Sequence, residues 1–298
     1  MAGKTDLVLT ALAPAIWGST YLVTTELLPP GRPLTVALLR ALPAGVLLLA
    51  VVRQWPHGIW WVRSLLLGAL NFSLFWWMLF VAAYRLPGGV AATVGAVQPL
   101  LVIGLARLLL GTPVRLLSVV AAVAGLAGVA LLILTDRAAL DPVGVAAGLA
   151  GAASMAAGTV LSRRWQPPAS PLAFAAWQLT AGGLLLLPAA LWLEPPPASL
   201  SLGNVAGFAY LGLVGAALTY VLWFRGIARL EPAAVSSLGF LSPATAVVLG
   251  WLVLGQRLSP AQGVGMVLVL GSVWLAQRAQ RAAAPVSPAG AAPVPGRP

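Results

Sequence analysis

The chain has no cysteine, a single histidine (His57) and only six acidic residues among 298. With no cysteine there is no disulfide, no thiolate nucleophile and no thiolate-held metal. One histidine in a short polar loop excludes a His-rich metal site, so no cofactor is expected. Charge of either sign is scarce, at 8% of residues, where an ordinary soluble domain carries about 25%. That leaves too little polar surface to face water. The net charge of +11 does not point to nucleic acid either, because the arginines stand singly or in pairs between apolar stretches and form no basic face.

What fills the chain is hydrophobic residues, 60% of the total, in recurring runs long enough to cross a hydrocarbon core as helices. The sequence predicts an all-α integral membrane protein with ten transmembrane spans, at 7–25, 34–52, 64–84, 88–109, 115–134, 142–162, 171–192, 203–225, 231–254 and 260–278. The separators, such as "LLPPGRP", "RQWPHG" and "EPPPAS", carry helix-breaking proline and glycine. They are too short to hold a soluble domain. The first span resembles a signal sequence but lacks a clear cleavage site and precedes nine others, so it is read as a retained helix. The Pro/Ala-rich segment 282–298 is expected to be a disordered cytoplasmic tail.

Basic residues set the expected orientation. With the N-terminus inside, Lys4, Arg53, Arg63, Arg107, Arg115, Arg163, Arg164, Arg225, Arg229, Arg278, Arg281 and Arg297 are cytoplasmic. Only Arg32, Arg85, Arg137 and Arg257 fall outside, and Arg40 lies within a span. Twelve against four puts both termini in the cytoplasm.

A shift of 144 residues superposes the middle of the chain on its end without a gap. Gly68 falls on Gly212, Phe80 on Phe224, Arg85 on Arg229, Gly95 on Gly239, Pro99 on Pro243 and Gly111 on Gly255. "RALPAGVLLL" from Arg40 also resembles "QLTAGGLLLL" from Gln178. The chain is therefore read as two five-helix repeats, 1–138 and 139–281. Five is odd, so the second repeat enters the membrane from the opposite side. Inverted repeats of this kind place a substrate site near the midplane, where the halves meet.

Four further features carry resemblance: "WGSTY" (Trp17 to Tyr21), "LRALPAG" in the second span, and the paired span endings "LLLG" (Leu108 to Gly111) and "LVLG" (Leu252 to Gly255). With ten spans in two halves, the chain resembles the EamA-type drug/metabolite transporter superfamily over about residues 7–278. Within it, the chain is similar to bacterial inner-membrane exporters of aromatic amino acids. That resemblance implies export of aromatic amino acids and related metabolites from the cell across its inner membrane.

The residues add their own detail. Trp17, Trp76 and Trp77 fall near mid-span, away from the interfacial belts where tryptophan usually sits. Phe72, Trp76, Phe80 and Tyr84 recur at four-residue spacing along one helix face, with Tyr220 and Phe224 at repeat-equivalent positions of the eighth span. Two readings fit: helix packing, or an aromatic wall against an apolar substrate. The expected lining is Trp17, Tyr21, Asn71, Phe75, Trp76, Tyr84, Gln98, Met155, Thr159, Tyr220, Ser237 and Ser242. Arg40 either snorkels to the interface or presents a cation to the cavity.

The pairs Gln98-Pro99 and Ser242-Pro243 interrupt the fourth and ninth spans at equivalent points. Each proline removes one backbone bond. Gly95, Pro99, Gly239 and Pro243 are read as hinges with uncovered glycine carbonyls, or alternatively as packing kinks. No mid-span carboxylate suits proton coupling. The expected partners are a small-molecule substrate and the lipid bilayer. No nucleic acid is involved and no oligomer is required. An enzyme lacks acid–base residues here, and a channel lacks a charge ring or carbonyl filter. A broad-specificity drug or other metabolite exporter of the same superfamily is the nearest alternative.

Overall fold

A computed structural model describes residues 4–29, 31–85, 94–133, 141–195, 199–255 and 259–281. Within these, the side chains of Tyr21, Thr25, Phe80, Ala83, Tyr84, Ile133, Gln280 and Arg281 lie outside the description. So do the expected boundary between the repeats near residue 138 and the tail 282–298.

Every regular element among the described residues is helical. Helices α1 (Lys4–Leu27) and α2 (Pro33–Val52) are followed by a third span in three pieces: α3 (Trp60–Gly68), a π turn (Ala69–Ser73) and α4 (Leu74–Arg85). Then come α5 (Gln98–Leu110), α6 (Leu116–Ile133), α7 (Pro142–Arg164) and α8 (Pro171–Leu193). The next span repeats the three-piece pattern with α9 (Leu202–Gly212), a second π turn (Leu213–Leu218) and α10 (Thr219–Arg229). Helices α11 (Pro232–Leu238), α12 (Leu241–Leu254) and α13 (Pro260–Arg281) complete the fold. Among the described residues, eight helical stretches are long and apolar enough to cross a membrane, and Gln98–Leu110 and Leu116–Leu132 are shorter apolar helices.

Local chemistry sets the boundaries. Asp141, Ser170 and Ser201 each cap a helix by accepting from backbone N–H groups of its first turn. The repeat-matched Gly111 and Gly255 end α5 and α12 in the left-handed conformation, with φ of 69° and 64°. A side chain is disfavoured at such a φ, which accounts for this glycine match.

Packing respects the repeat. Helix α2 lies along α8, and α6 along α13. Each of these pairs joins repeat-equivalent spans. Helix α4 packs on α7 while α10 packs on α1, and α5 packs on α7 while α12 packs on α1. Exchanging the halves converts the first member of each couple into the second. Small residues permit the close approaches. A Cβ added at Gly128 would stand 2.9 Å from the backbone N of Val269, and one at Gly45 would meet the Thr180 backbone.

Contacts between helix ends form two sets. Asp6 at the start of α1 meets Arg225 and Arg229 at the end of α10, and Arg115 before α6 meets Glu231 before α11. At the opposite ends, Arg85 meets Asp141. There too Glu194 accepts from the backbone N–H groups of Leu34 and Thr35, both at 2.7 Å.

Candidate functional site

The two π turns occupy equivalent places, since Ala69 shifted by 144 is Leu213. A π turn inserts one residue into the helical ladder and leaves backbone groups in need of other partners; such turns cluster at functional sites. In the first turn, the Leu70 carbonyl accepts from Ser154 Oγ of α7 at 2.8 Å. In the second, the Gly215 carbonyl accepts from Arg40 Nη2 of α2 and from Thr219 Oγ1, both at 2.8 Å.

The anchoring side chains are themselves repeat partners. Gln178 of α8 stands where Arg40 of α2 stands in the first half. Gln178 Oε1 accepts from Asn71 Nδ2 at 2.7 Å, and Asn71 is the residue of the first π turn equivalent to Gly215. Each half thus reaches from its second helix to the same point of the other half's π turn.

The two anchors differ in kind. Asn71, Gln178 and Ser162 form a neutral polar group no more than 1% exposed, and Thr159 of the same helix as Ser162 is equally buried. Asn71 Nδ2 also donates to Ser162 Oγ at 3.3 Å, and Asn71 Oδ1 and Thr159 Oγ1 are buried without a hydrogen-bond partner among the described residues. Arg40 is instead charged. Its guanidinium lies over the Trp76 ring, 5.2 Å from the centroid.

Trp76 belongs to an aromatic cluster built from both halves. Trp17 of α1 stands 5.0 Å from Tyr220 and 5.1 Å from Trp223, between ring centroids. Phe72 stands 4.6 Å from Tyr220 and 5.3 Å from Trp76. Trp17 Nε1 donates to Thr219 Oγ1 at 2.9 Å, and Thr219 in turn bonds the Gly215 carbonyl, so the cluster is tied through Thr219 to the second π turn. Trp76 and Tyr220 are repeat equivalents and lie 6.5 Å apart. Two equivalent residues that meet mark the axis relating the halves.

The fourth and ninth spans are both interrupted. Helix α5 starts at Gln98, with Pro99 in its first turn. Helix α11 ends at Leu238, and a turn through Gly239 and Phe240 leads into α12, where Ser242 and Pro243 occupy the first turn. The Gly239 carbonyl accepts from the Ser242 backbone N–H at 3.1 Å. That acceptor, expected to be uncovered, is therefore satisfied by a tightened turn. Gly18 of α1 sits against this bend; a Cβ there would meet the Ser242 carbonyl and Thr245.

Of the expected lining residues, the fold gathers Trp17, Trp76 and Tyr220 into one cluster. Asn71 belongs to the neutral polar group, and Thr159 is buried in α7. Gln98 and Ser242 sit half-buried at the two bends. Phe75 packs on the edge of the main core, and Met155 is buried in α7. Ser237 Oγ donates to the Ala234 carbonyl of its own helix. The side chains of Tyr21 and Tyr84 lie outside the described residues. Phe72, expected on the aromatic face, joins the cluster, whereas sequence reasoning did not place Gln178 at the site. Gln178 carried a signal, its match to Arg40, whereas a π turn leaves none in hydrophobic periodicity.

Ion pairs close the two ends. Asp6, expected ahead of the first span, lies in the first turn of α1 and accepts from Arg225 Nη2 and Arg229 Nη1, both at 2.9 Å. At the other end Arg85 Nη1 reaches Asp141 Oδ2 at 3.2 Å. Arg85 and Arg229 are repeat equivalents, so the pairing is the same at both ends. The backbone N–H of Gly144 holds the Asp141 carboxyl below the usual carboxylate range, helped by Val143 N–H and Arg85 against a desolvation cost.

This architecture, with two packed helical halves joined at an aromatic axis, is that of a multi-span membrane protein. The chain belongs to the EamA-like transporter family, whose profile matches it twice, at 5–134 and 142–277. It is 48% identical over 267 residues to Protein PecM of Dickeya dadantii, covering 89% of this chain and 90% of that protein. It is 32% identical over 265 residues to the uncharacterized inner membrane transporter YedA of Escherichia coli, covering 87% of this chain and 86% of YedA. A WAT1-related chloroplastic protein of Arabidopsis thaliana is 30% identical, over 87% of this chain and 66% of its own length. A solved crystal structure shares the fold, with a TM-score of 0.79 at 20% identity over 93% of this chain and 99% of that one. The family and the long apolar helices make this a multi-pass membrane transporter, acting on a small-molecule substrate.

Proposed function

We propose that the protein exports small amphipathic metabolites, aromatic amino acids foremost, by alternating access. The full architecture in this reading is ten spans in two inverted five-helix repeats, with both termini in the cytoplasm. The repeats are 1–138 and 139–281. The observation that carries it is the contact of Trp76 with Tyr220, repeat-equivalent aromatics that meet on the axis between the halves. With Trp17 and Phe72 they offer ring faces and edges to a flat apolar side chain.

Alternation needs one half to rock against the other around a fixed site. The paired π turns and the bends before Pro99 and Pro243 are the places where these helices depart from a continuous ladder, and the hinge role is assigned there, with Gly95 and Gly239. Gln98 and Ser242 at those bends are assigned to substrate contact, as are Tyr21, Tyr84, Asn71, Phe75, Met155, Thr159 and Ser237 along the path. The positive-inside bias supports the orientation. The end that joins Asp6, Arg225, Arg229 and Arg115 gathers most of the arginines.

Reconstituted vesicles test the reading. Labelled tryptophan and phenylalanine should enter saturably, threonine less well, and a sugar phosphate not at all. Linear flux of every solute would mean a channel. No flux of any, together with turnover of a lipid, would mean an enzyme.

A further inference from the structure

A cleft of about 520 Å³ opens where the ends of α5 and α7 meet the α10–α11 junction. Helix α5 comes from the first half and the other three from the second, so the cleft straddles the junction of the halves. It sits at one mouth of the proposed path. Thr112, Arg163, Arg164, Arg229 and Glu231 line it. Its volume falls within the range of small-molecule sites, about 300–1,000 Å³.

The guanidinium groups of Arg163, Arg164 and Arg229 line the cleft against the Glu231 carboxylate. Ion pairs bring Arg115 to Glu231 and Asp6, with Arg225, to Arg229, so five guanidinium groups stand in and beside the cleft against two carboxylates. Both carboxylates are engaged, Glu231 by Arg115 and Asp6 by Arg225 and Arg229. Arg163 donates to the carbonyls of Ile227 and Ala228 and so holds the end of α10. Arg164 is exposed and makes no hydrogen bond or ion pair among the described residues. The cleft therefore presents one uncommitted guanidinium within a field of net positive charge.

We propose that this cleft is an anion-selective vestibule. It takes the carboxylate of the transported solute on Arg164, so that the protein favours carboxylate-bearing solutes over amines. A guanidinium fork matches a carboxylate in two parallel hydrogen bonds. A cleft lined by one sign of charge raises the local concentration of the opposite ion. A cationic drug meets repulsion at the same mouth. The inference rests on the transport reading and sharpens it, because it separates an exporter of amino or organic acids from an exporter of cationic drugs.

The test compares tryptophan with tryptamine, which lacks the carboxylate, in phosphatidylcholine vesicles that present the cleft to the added solute. Arg164→Gln should raise the KM for tryptophan about three- to ten-fold, and Arg164→Glu should raise it further. The KM for tryptamine should fall in both. Added salt should shrink the differences. Thermal stabilisation of the detergent-purified protein by tryptophan, with no flux involved, should weaken in the same order.

If folded variants keep both the wild-type KM and the wild-type stabilisation, the vestibule is refuted while the transporter stands. A difference seen only after phosphatidylglycerol is added would assign Arg164 to a lipid headgroup and also overturn the proposal. A wild type that moves neither solute overturns the transport reading, and this inference with it.

Discussion

The two π turns are the same backbone device held by different chemistry. The first is clasped by uncharged groups, Gln178 and Ser162 on Asn71, with no residue of the set more than 1% exposed. The second is clasped by a cation, Arg40 on the Gly215 carbonyl, beside Trp76 and the Trp17–Thr219 bond. The repeat preserves where the halves grip one another and lets the nature of the grip diverge. A neutral, fully desolvated set serves best as a fixed clasp, because each member is costly to expose or leave unpaired. A guanidinium beside the axial aromatics gives the other side a charge to offer. The pair is thus symmetric in geometry and polarised in chemistry.

The largest effect should come from crowding the neutral clasp. A Cβ at Gly158 would fall on the amide of Asn71. Gly158→Ala should therefore cost about 3 kcal/mol, read as a lower unfolding midpoint in detergent. A destabilisation no larger than that of an exposed Gly→Ala change would mean that the amide moves freely. Next is Gln178→Leu, which leaves Asn71 without its main partner at a cost of about 2 kcal/mol. Adding Asn71→Leu should recover much of that loss, since two apolar neighbours have no polar group left to satisfy. A fully additive double variant would show that the two residues are not coupled.

Smaller again is the contribution of Asp141. Its folded-state carboxyl titrates below the usual carboxylate range, the Gly144 N–H being the leading cause. The stability it adds is therefore complete above the unfolded-state pKa of about 3.9. It is lost as pH falls through the lower folded value. Asp141→Asn, which keeps a capping group without a titrating charge, should narrow the difference in melting between neutral and strongly acid pH. An unchanged difference would exclude this cap as a source of acid sensitivity. The smallest effect belongs to the charged clasp. A Cβ at Gly215 meets its nearest atoms at 3.6 Å, an ordinary contact. Gly215→Ala should stay within about 0.5 kcal/mol of wild type. If it proves as harmful as Gly158→Ala, the two clasps are not the different structures described above.

Much of this was legible in the sequence. The scarcity of charge announced the membrane, and matched glycine, proline and arginine residues announced the repeat. Gly111 and Gly255 show why such matches inform: both are held at positive φ. The axial aromatics were legible too, since Trp76 and Tyr220 share a repeat position. The π turns were not, because one inserted residue shifts the helical phase without changing composition. The partner of Asn71 was hidden for a related reason. Gln178 lies 107 residues away, and an apolar chain gives no periodic sign of which buried amide meets which. At the bend before Pro243 the sequence located the interruption but not its outcome, since the Gly239 carbonyl finds the Ser242 N–H.

The central claim is that the two halves carry a bound solute across by alternation, and counterflow tests it most directly. Vesicles holding the purified protein are loaded with unlabelled tryptophan and diluted into a trace of labelled tryptophan. The account predicts that the label accumulates transiently above its equilibrium level and that it fails to do so in empty vesicles. Entry at the same rate with or without internal tryptophan, rising linearly with concentration, would contradict it.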